Sequence, residues 1–147
     1  GLSNINLSQG PRFGDQIIEA CGRAIDKAMR KKRGHDVASR FEGQRFLVFF
    51  GDTGPRNATS GIERIRQTIA ASTFICGEME LELTVSCGVA EMAAGEPFKE
   101  ACRRAGKAAL AAKSAGRNCT FLDVGEGPEP VEVTDLKVTG HIITLDE

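Results

Sequence analysis

At 147 residues, 41% of them hydrophobic, the chain is long enough for one ordinary core, and one domain with a tail is the expected organisation. The 19 basic and 20 acidic residues nearly cancel, so no whole-chain field selects a nucleic acid or a membrane, and a small anionic ligand needs a local basic site. No apolar run approaches transmembrane length and no charged start precedes a hydrophobic signal segment, so a cytoplasmic protein is expected.

Residues 1–14 are polar and Gly-rich, and the apolar spacing of Ile17, Ile18, Cys21, Ile25, Ala28 and Met29 predicts a helix over about 15 to 31, with Asp15 placed to cap it. Arg30, Lys31, Lys32 and Arg33 suit the negative end of that helix, and Gly34 allows the chain to leave it. Val37 to Phe41 and Arg45 to Phe50, joined by Glu42-Gly43-Gln44, read as a hairpin. GDTGPRN is a break, and Ile62, Ile65 and Ile69 mark a second helix over about 58 to 71. Met79, Leu81, Leu83 and Val85 alternate as in a half-buried strand, an Ala-rich helix follows over about 97 to 115, and CTFLDV reads as a further strand. The order αββαβαβ implies an α+β domain over residues 1–124, with helices on a mainly antiparallel sheet. Residues 125–147 read as a linker, GEGPEP, and two segments, VEVTDLKV and HIITLDE, expected to form a hairpin about Thr139-Gly140, to pair with an exposed sheet edge or to dock a partner.

Cys21, Cys76, Cys87, Cys102 and Cys119 lie far apart with no CxxC spacing, so buried free thiols are expected rather than zinc or redox chemistry. Phe supplies all 8 aromatic residues, which gives a base-stacking platform little to build on. His35 and His141 are isolated, so neither is expected to ligate a metal.

The hairpin and its flanks resemble the GGDEF family of diguanylate cyclases. Ile5-Asn6, Gly10 and Gly14-Asp15 resemble the family's IND, GH and GD series, Ile62-Glu63-Arg64-Ile65-Arg66 its ERIR helix, and Val85-Ser86-Cys87-Gly88-Val89 its SxGV strand. Ala112-Lys113-Ser114-Ala115-Gly116-Arg117-Asn118 is close to its AKxxGRN motif, and the likeness covers roughly residues 2 to 124. The resemblance implies a nucleotidyl-cyclase-like fold: a central, mainly antiparallel sheet flanked by helices. Its first strand, which carries a metal-binding aspartate, would precede Gly1, so either the sequence starts inside the domain or another segment, HIITLDE being one candidate, replaces that strand. The first helix also runs about one turn longer than the family pattern.

The five signature positions read Glu42-Gly43-Gln44-Arg45-Phe46, so only Gly43 and Phe46 match. Joining two GTP molecules needs carboxylates to hold divalent ions, and here an amide and a permanent cation occupy the two acidic positions. Glu42 adds a side chain and a negative charge where the family's first glycine lets backbone approach phosphate. The implied chain is not an enzyme and needs no cofactor or metal. Asn6 and Asp15, assigned by the resemblance to guanine, and Lys113 and Arg117, assigned to phosphate, are remnants that capping and helix-dipole terms also explain.

An RxxD inhibitory site precedes the signature in many members of the family, and Arg33-Gly34-His35-Asp36 stands at that place. The resemblance adds Arg64 to it. A guanidinium matches guanine O6 and N7 or a phosphate, a carboxylate accepts from the guanine Watson–Crick edge, and a second guanidinium neutralises a dianionic ligand. The plainer reading is a surface Arg33–Asp36 ion pair. The expected function is a cyclic di-GMP receptor that signals to an unidentified protein partner, with ligand-promoted dimers. Ser60 replaces a further arginine sometimes used in such dimers. A GTP-sensing module and a ligand-free docking or dimerisation domain are the alternatives.

Overall fold

The structure, a computed structural model, describes residues 10–29 and 36–145. Among them are three helices, α1 (Pro11–Ala28), α2 (Pro55–Ala71) and α3 (Phe98–Ser114). The strands are β1 (Val37–Glu42), β2 (Arg45–Phe49), β3 (Thr73–Cys76), β4 (Met79–Leu81), β5 (Cys87–Ala90), β6 (Thr120–Asp123), β7 (Pro128–Pro130) and β8 (Ile142–Thr144). No helix among the described residues is long and apolar enough to cross a membrane.

Helix α1 begins earlier than its apolar period suggests. Gly10 turns the chain at φ 89° and Pro11 takes the first helical position, where its missing N–H loses nothing and its fixed φ suits the helix. Asp15 therefore lies inside the helix, and the capping role expected for it is corrected. Phe13, Ile17, Cys21 and Ile25 form the buried stripe, and α1 stops when Met29 turns extended. The residues that would extend it to 31 lie largely outside the described set. Pro55 likewise opens α2 a turn ahead of the expected start.

The main core joins α1 to Ile65 and Ile69 of α2, Phe74 of β3 and Ile143 and Leu145 of the tail. The hairpin docks through side chains: a Cβ on Gly22 of α1 would lie 3.3 Å from the Phe46 ring, and one on Gly61 of α2 would lie 2.9 Å from the Phe50 ring. Phe49 meets Phe98 of α3 with ring centroids 6.5 Å apart. Phe46, the last residue of the signature, thus serves the core.

The fold is mixed helix and sheet, with the described strands divided among three sheets ordered β1-β2, β4-β3-β8 and β5-β6-β7. The pairs β1–β2, β3–β4 and β6–β7 are antiparallel, while β3–β8 and β5–β6 are parallel. Strand β3 is an addition to the expected order. The strand expected through Val85 ends at Leu81, opposite Phe74, and Leu83 and Val85 pack on the core without a ladder.

The SxGV motif has a packing reason. A Cβ on Gly88 would lie 2.0 Å from the Ala105 carbonyl oxygen and 2.2 Å from the Ala109 nitrogen, so only glycine lets α3 lie this close on β5. Buried Ala101, Ala108 and Ala112 keep the α3 side of that contact thin.

The tail does not fold on itself. β7 adds to β6 and β8 adds to β3, so of the arrangements left open for the tail the second segment takes the sheet edge, and no hairpin forms about Thr139-Gly140 among the described residues. Burial decides this: Ile143 and Leu145 alternate into the core, which a solvent-exposed hairpin would forgo. β8 also lies against β3 and not against β2 or β5, so Ile142–Thr144 adds to a side sheet and does not replace a central strand. The segment expected as a linker contains β7, whose prolines sit on an outer strand.

Of the five thiols, Cys21 is buried and the others are half-buried, and all are free. Burial pushes the Cys21 thiol up to about 11 and the Cys87 thiol up to about 12, so both are protonated at neutral pH.

Arg104 of α3 donates through Nε to Glu96 Oε2 (2.8 Å), through Nη2 to Glu96 Oε1 (2.6 Å) and through Nη1 to Asp123 Oδ1 (3.2 Å). Its hydrogen bonds, with one from the Ala93 N–H, hold the Glu96 carboxyl near 2 against an ordinary 4.5. A depressed carboxyl contributes stability that is full above about pH 4.5 and is lost as the pH falls toward 2. Glu96→Gln should therefore flatten the acid limb: the wild-type advantage in urea midpoint at pH 7 should shrink progressively between pH 4.5 and 2. An advantage that stays constant over that range would refute the assignment.

Candidate functional site

The signature turn is an exposed hairpin loop. Gly43 takes φ 55°, Arg40 Nε donates to the Gly43 carbonyl (2.8 Å), and the β1–β2 register slips between Arg40 and Glu42. Glu42 and Arg45 face each other as partners across this turn. Glu42, Gln44 and Arg45 are all exposed. Arg40 also reaches Asp15 of α1 at 3.6 Å, so the structure brings Asp15 to the hairpin as a surface pair.

The GRN end of α3 is organised by a different residue. Glu63 and Arg66, both 5% exposed, pair on α2: Arg66 Nε donates to Glu63 Oε2 at 2.5 Å and Nη2 to Glu63 Oε1 at 3.0 Å. Arg66 Nη1 then donates to the Asn118 carbonyl (3.2 Å) and Oδ1 (3.0 Å), while Thr120 Oγ1 donates to Glu63 Oε2 (3.0 Å). The Glu63 hydrogen bond raises the Arg66 pKa further, so the guanidinium keeps its charge. This latch ties α2 to the turn where Gly116, Arg117 and Asn118 adopt φ 118°, 67° and 47°. Arg117 is exposed there and Lys113 half-buried in the last turn of α3. The role of Arg66 and Glu63 has a signal in the sequence, the i,i+3 spacing of opposite charges on one helix, but nothing local indicates Asn118 as their partner.

Of the three residues expected to hold ligand, Arg33 lies outside the described residues, as does Asn6. Asp36 enters β1, half-buried, and its Oδ1 is buried with no hydrogen-bond partner among the described residues. Arg64 projects from α2 into a cavity of about 170 Å³ shared with Lys27 and Ala28, at the end of α1 that leads into the Arg33 segment.

The diguanylate cyclase GGDEF family model matches residues 1–119. The chain belongs to the GGDEF family. Diguanylate cyclase A of Treponema denticola is 29% identical to this GGDEF domain over 129 residues, 87% of the chain and 34% of the relative. The response regulator PleD of Caulobacter vibrioides is 30% identical over 120 residues, 80% of the chain and 26% of the relative. The chain thus spans about a third or less of these relatives. Among solved structures, the diguanylate cyclase SiaD of Pseudomonas aeruginosa, in complex with its activator SiaC, superposes with a TM-score of 0.77 at 28% identity, covering 83% of this chain and 46% of that one. The GGDEF domain of DgcB from Caulobacter crescentus, in complex with c-di-GMP, gives 0.73 at 25% identity, covering 82% and 71%. The nucleotidyl-cyclase-like fold expected from the motifs is the one observed.

Proposed function

We propose that this GGDEF domain is a non-catalytic, cytoplasmic receptor for cyclic di-GMP that binds the dinucleotide through Arg33, Asp36 and Arg64 and passes its occupancy to a protein partner. The observation that carries the reading is the Asp36 carboxylate oxygen, buried without a donor among the described residues. An unsatisfied buried acceptor costs about 1–3 kcal/mol, which a guanine N–H donor would offset. Arg64, at the end of α1 that leads to Arg33, suits the same ligand. The solved relatives that contain c-di-GMP or an activator protein support a small-molecule ligand and a protein partner. Ligand-promoted dimers fit two guanines on one ligand.

The signature argues against synthesis by its chemistry. Gln44 is neutral and Arg45 permanently cationic, so neither supplies the carboxylate that would hold and neutralise the divalent ions of the α-phosphate attack. Asp15 pairs with Arg40, and Lys113 lies in the last turn of α3, where a cation suits the helix dipole, so neither needs a nucleotide to account for it. Incubation with GTP and Mg²⁺ or Mn²⁺ should yield no cyclic di-GMP above a no-enzyme control. Product above that control would overturn the non-catalytic assignment.

A further inference from the structure

Beyond β7 the chain runs back over α2 as an extended strap fixed at several points. The Gln67 amide grips its backbone twice: Nε2 donates to the Thr134 carbonyl (2.8 Å) and Oε1 accepts from the Leu136 N–H (2.9 Å). Further on, the His141 N–H donates to Ser72 Oγ (3.1 Å), and a Cβ on Gly140 would lie 2.1 Å from the Ala71 carbonyl oxygen. Ile143 and Leu145 then anchor the end in the core. Between the Gln67 grip and the Ser72 contact, the strap crosses the cavity that holds Arg64.

That cavity gathers Lys27 from α1, Arg64 and Thr68 from α2, and Lys137 and His141 from the strap. No described lining residue carries a carboxylate. Three side-chain cations, Lys27, Arg64 and Lys137, thus line one concavity, and that composition favours an anionic group. The volume, about 170 Å³, corresponds to roughly six water molecules, which is room for a phosphate group and some hydration but not for a whole dinucleotide.

We propose that the strap completes the Arg64 site, with Lys137 and Lys27 joining Arg64 around one phosphate of the ligand and Thr68 and His141 lining the floor. The inference rests on the reading of Arg64 as a ligand residue. It goes beyond the family pattern, because the family match ends at residue 119 and Lys137 lies outside it. Since both sides of Lys137 are tied down, little chain entropy remains to be lost when it meets the ligand.

Calorimetry with cyclic di-GMP, and separately with pyrophosphate as an anion probe, on wild type, Arg64→Ala, Lys137→Ala and Lys137→Arg tests this. Lys137 is exposed, so its variants should melt with wild type. Lys137→Ala should bind cyclic di-GMP about threefold to tenfold more weakly, Lys137→Arg within about twofold of wild type, and the alanine loss should shrink at high salt. If Arg64→Ala loses affinity while Lys137→Ala matches wild type, the strap inference fails and the receptor reading stands. If wild type does not bind cyclic di-GMP, the receptor reading fails. Pyrophosphate then decides: saturable binding weakened by Lys137→Ala supports the anion site, and no such binding overturns it.

Discussion

Arg33→Ala and Arg64→Ala are each expected to weaken cyclic di-GMP binding about tenfold to a hundredfold, while Arg117→Ala leaves it unchanged. The size follows from charge-assisted hydrogen bonds, which contribute about 1.5–3 kcal/mol, where 1.4 kcal/mol is a factor of ten. Removing either arginine also leaves ligand acceptors unpaired while Asp36 keeps its own demand for a donor. Arg117 is the informative control because it carries the same charge. It sits exposed at φ 67° on the turn after α3, where the family likeness assigns it to a nucleotide phosphate instead. A loss confined to Arg117→Ala, or equal affinity in Arg33→Ala and wild type, would move the ligand to the other site or remove it.

Arg66→Ala should be the most destabilising of the arginine substitutions. It would strand the Glu63 carboxylate, 5% exposed, with only the Thr120 hydroxyl as a donor, and would release the Asn118 turn. Breaking a buried pair from one side costs about 3–5 kcal/mol, and for a chain of this length that lowers the melting temperature on the order of 10 °C. Arg103→Ala offers the contrast. Its partner Glu100 is also one turn away at 3.0 Å, but the Arg103 side chain is 51% exposed, and the expected cost is within about 1 kcal/mol. Thermal melts of the two variants that shift equally would show that the α2 latch has been given too large a role.

Local patterns carried most of the helices and the signature hairpin into view. α3 is an Ala-rich repeat that stops before Gly116, and β1–β2 is an alternation around Gly43, so both are decided within a few residues. Helix starts were harder, because Pro11 and Pro55 look like breaks and are in fact first-turn residues. The missed features are non-local. β3 is four residues long and needs β4 and β8 to exist, and the tail's choice between its own hairpin and two sheet edges depends on core space for Ile143 and Leu145. The site divides the same way. Arg33, Asp36 and Arg64 are marked by motif and spacing, whereas Lys27 and Lys137 carry no local signal and meet only because the strap returns across α2. Arg66 is marked as part of ERIR, but its partner Asn118 lies 52 residues along the chain.

A GGDEF domain that reads cyclic di-GMP must bind it directly, without a metal ion or a second nucleotide. Titrating the wild-type protein with cyclic di-GMP by calorimetry, beside an identical titration with GTP and Mg²⁺, tests this most directly. Saturable heat with the dinucleotide and none with GTP is the expected result. Saturable GTP binding without any response to cyclic di-GMP would contradict it and make the domain a GTP sensor.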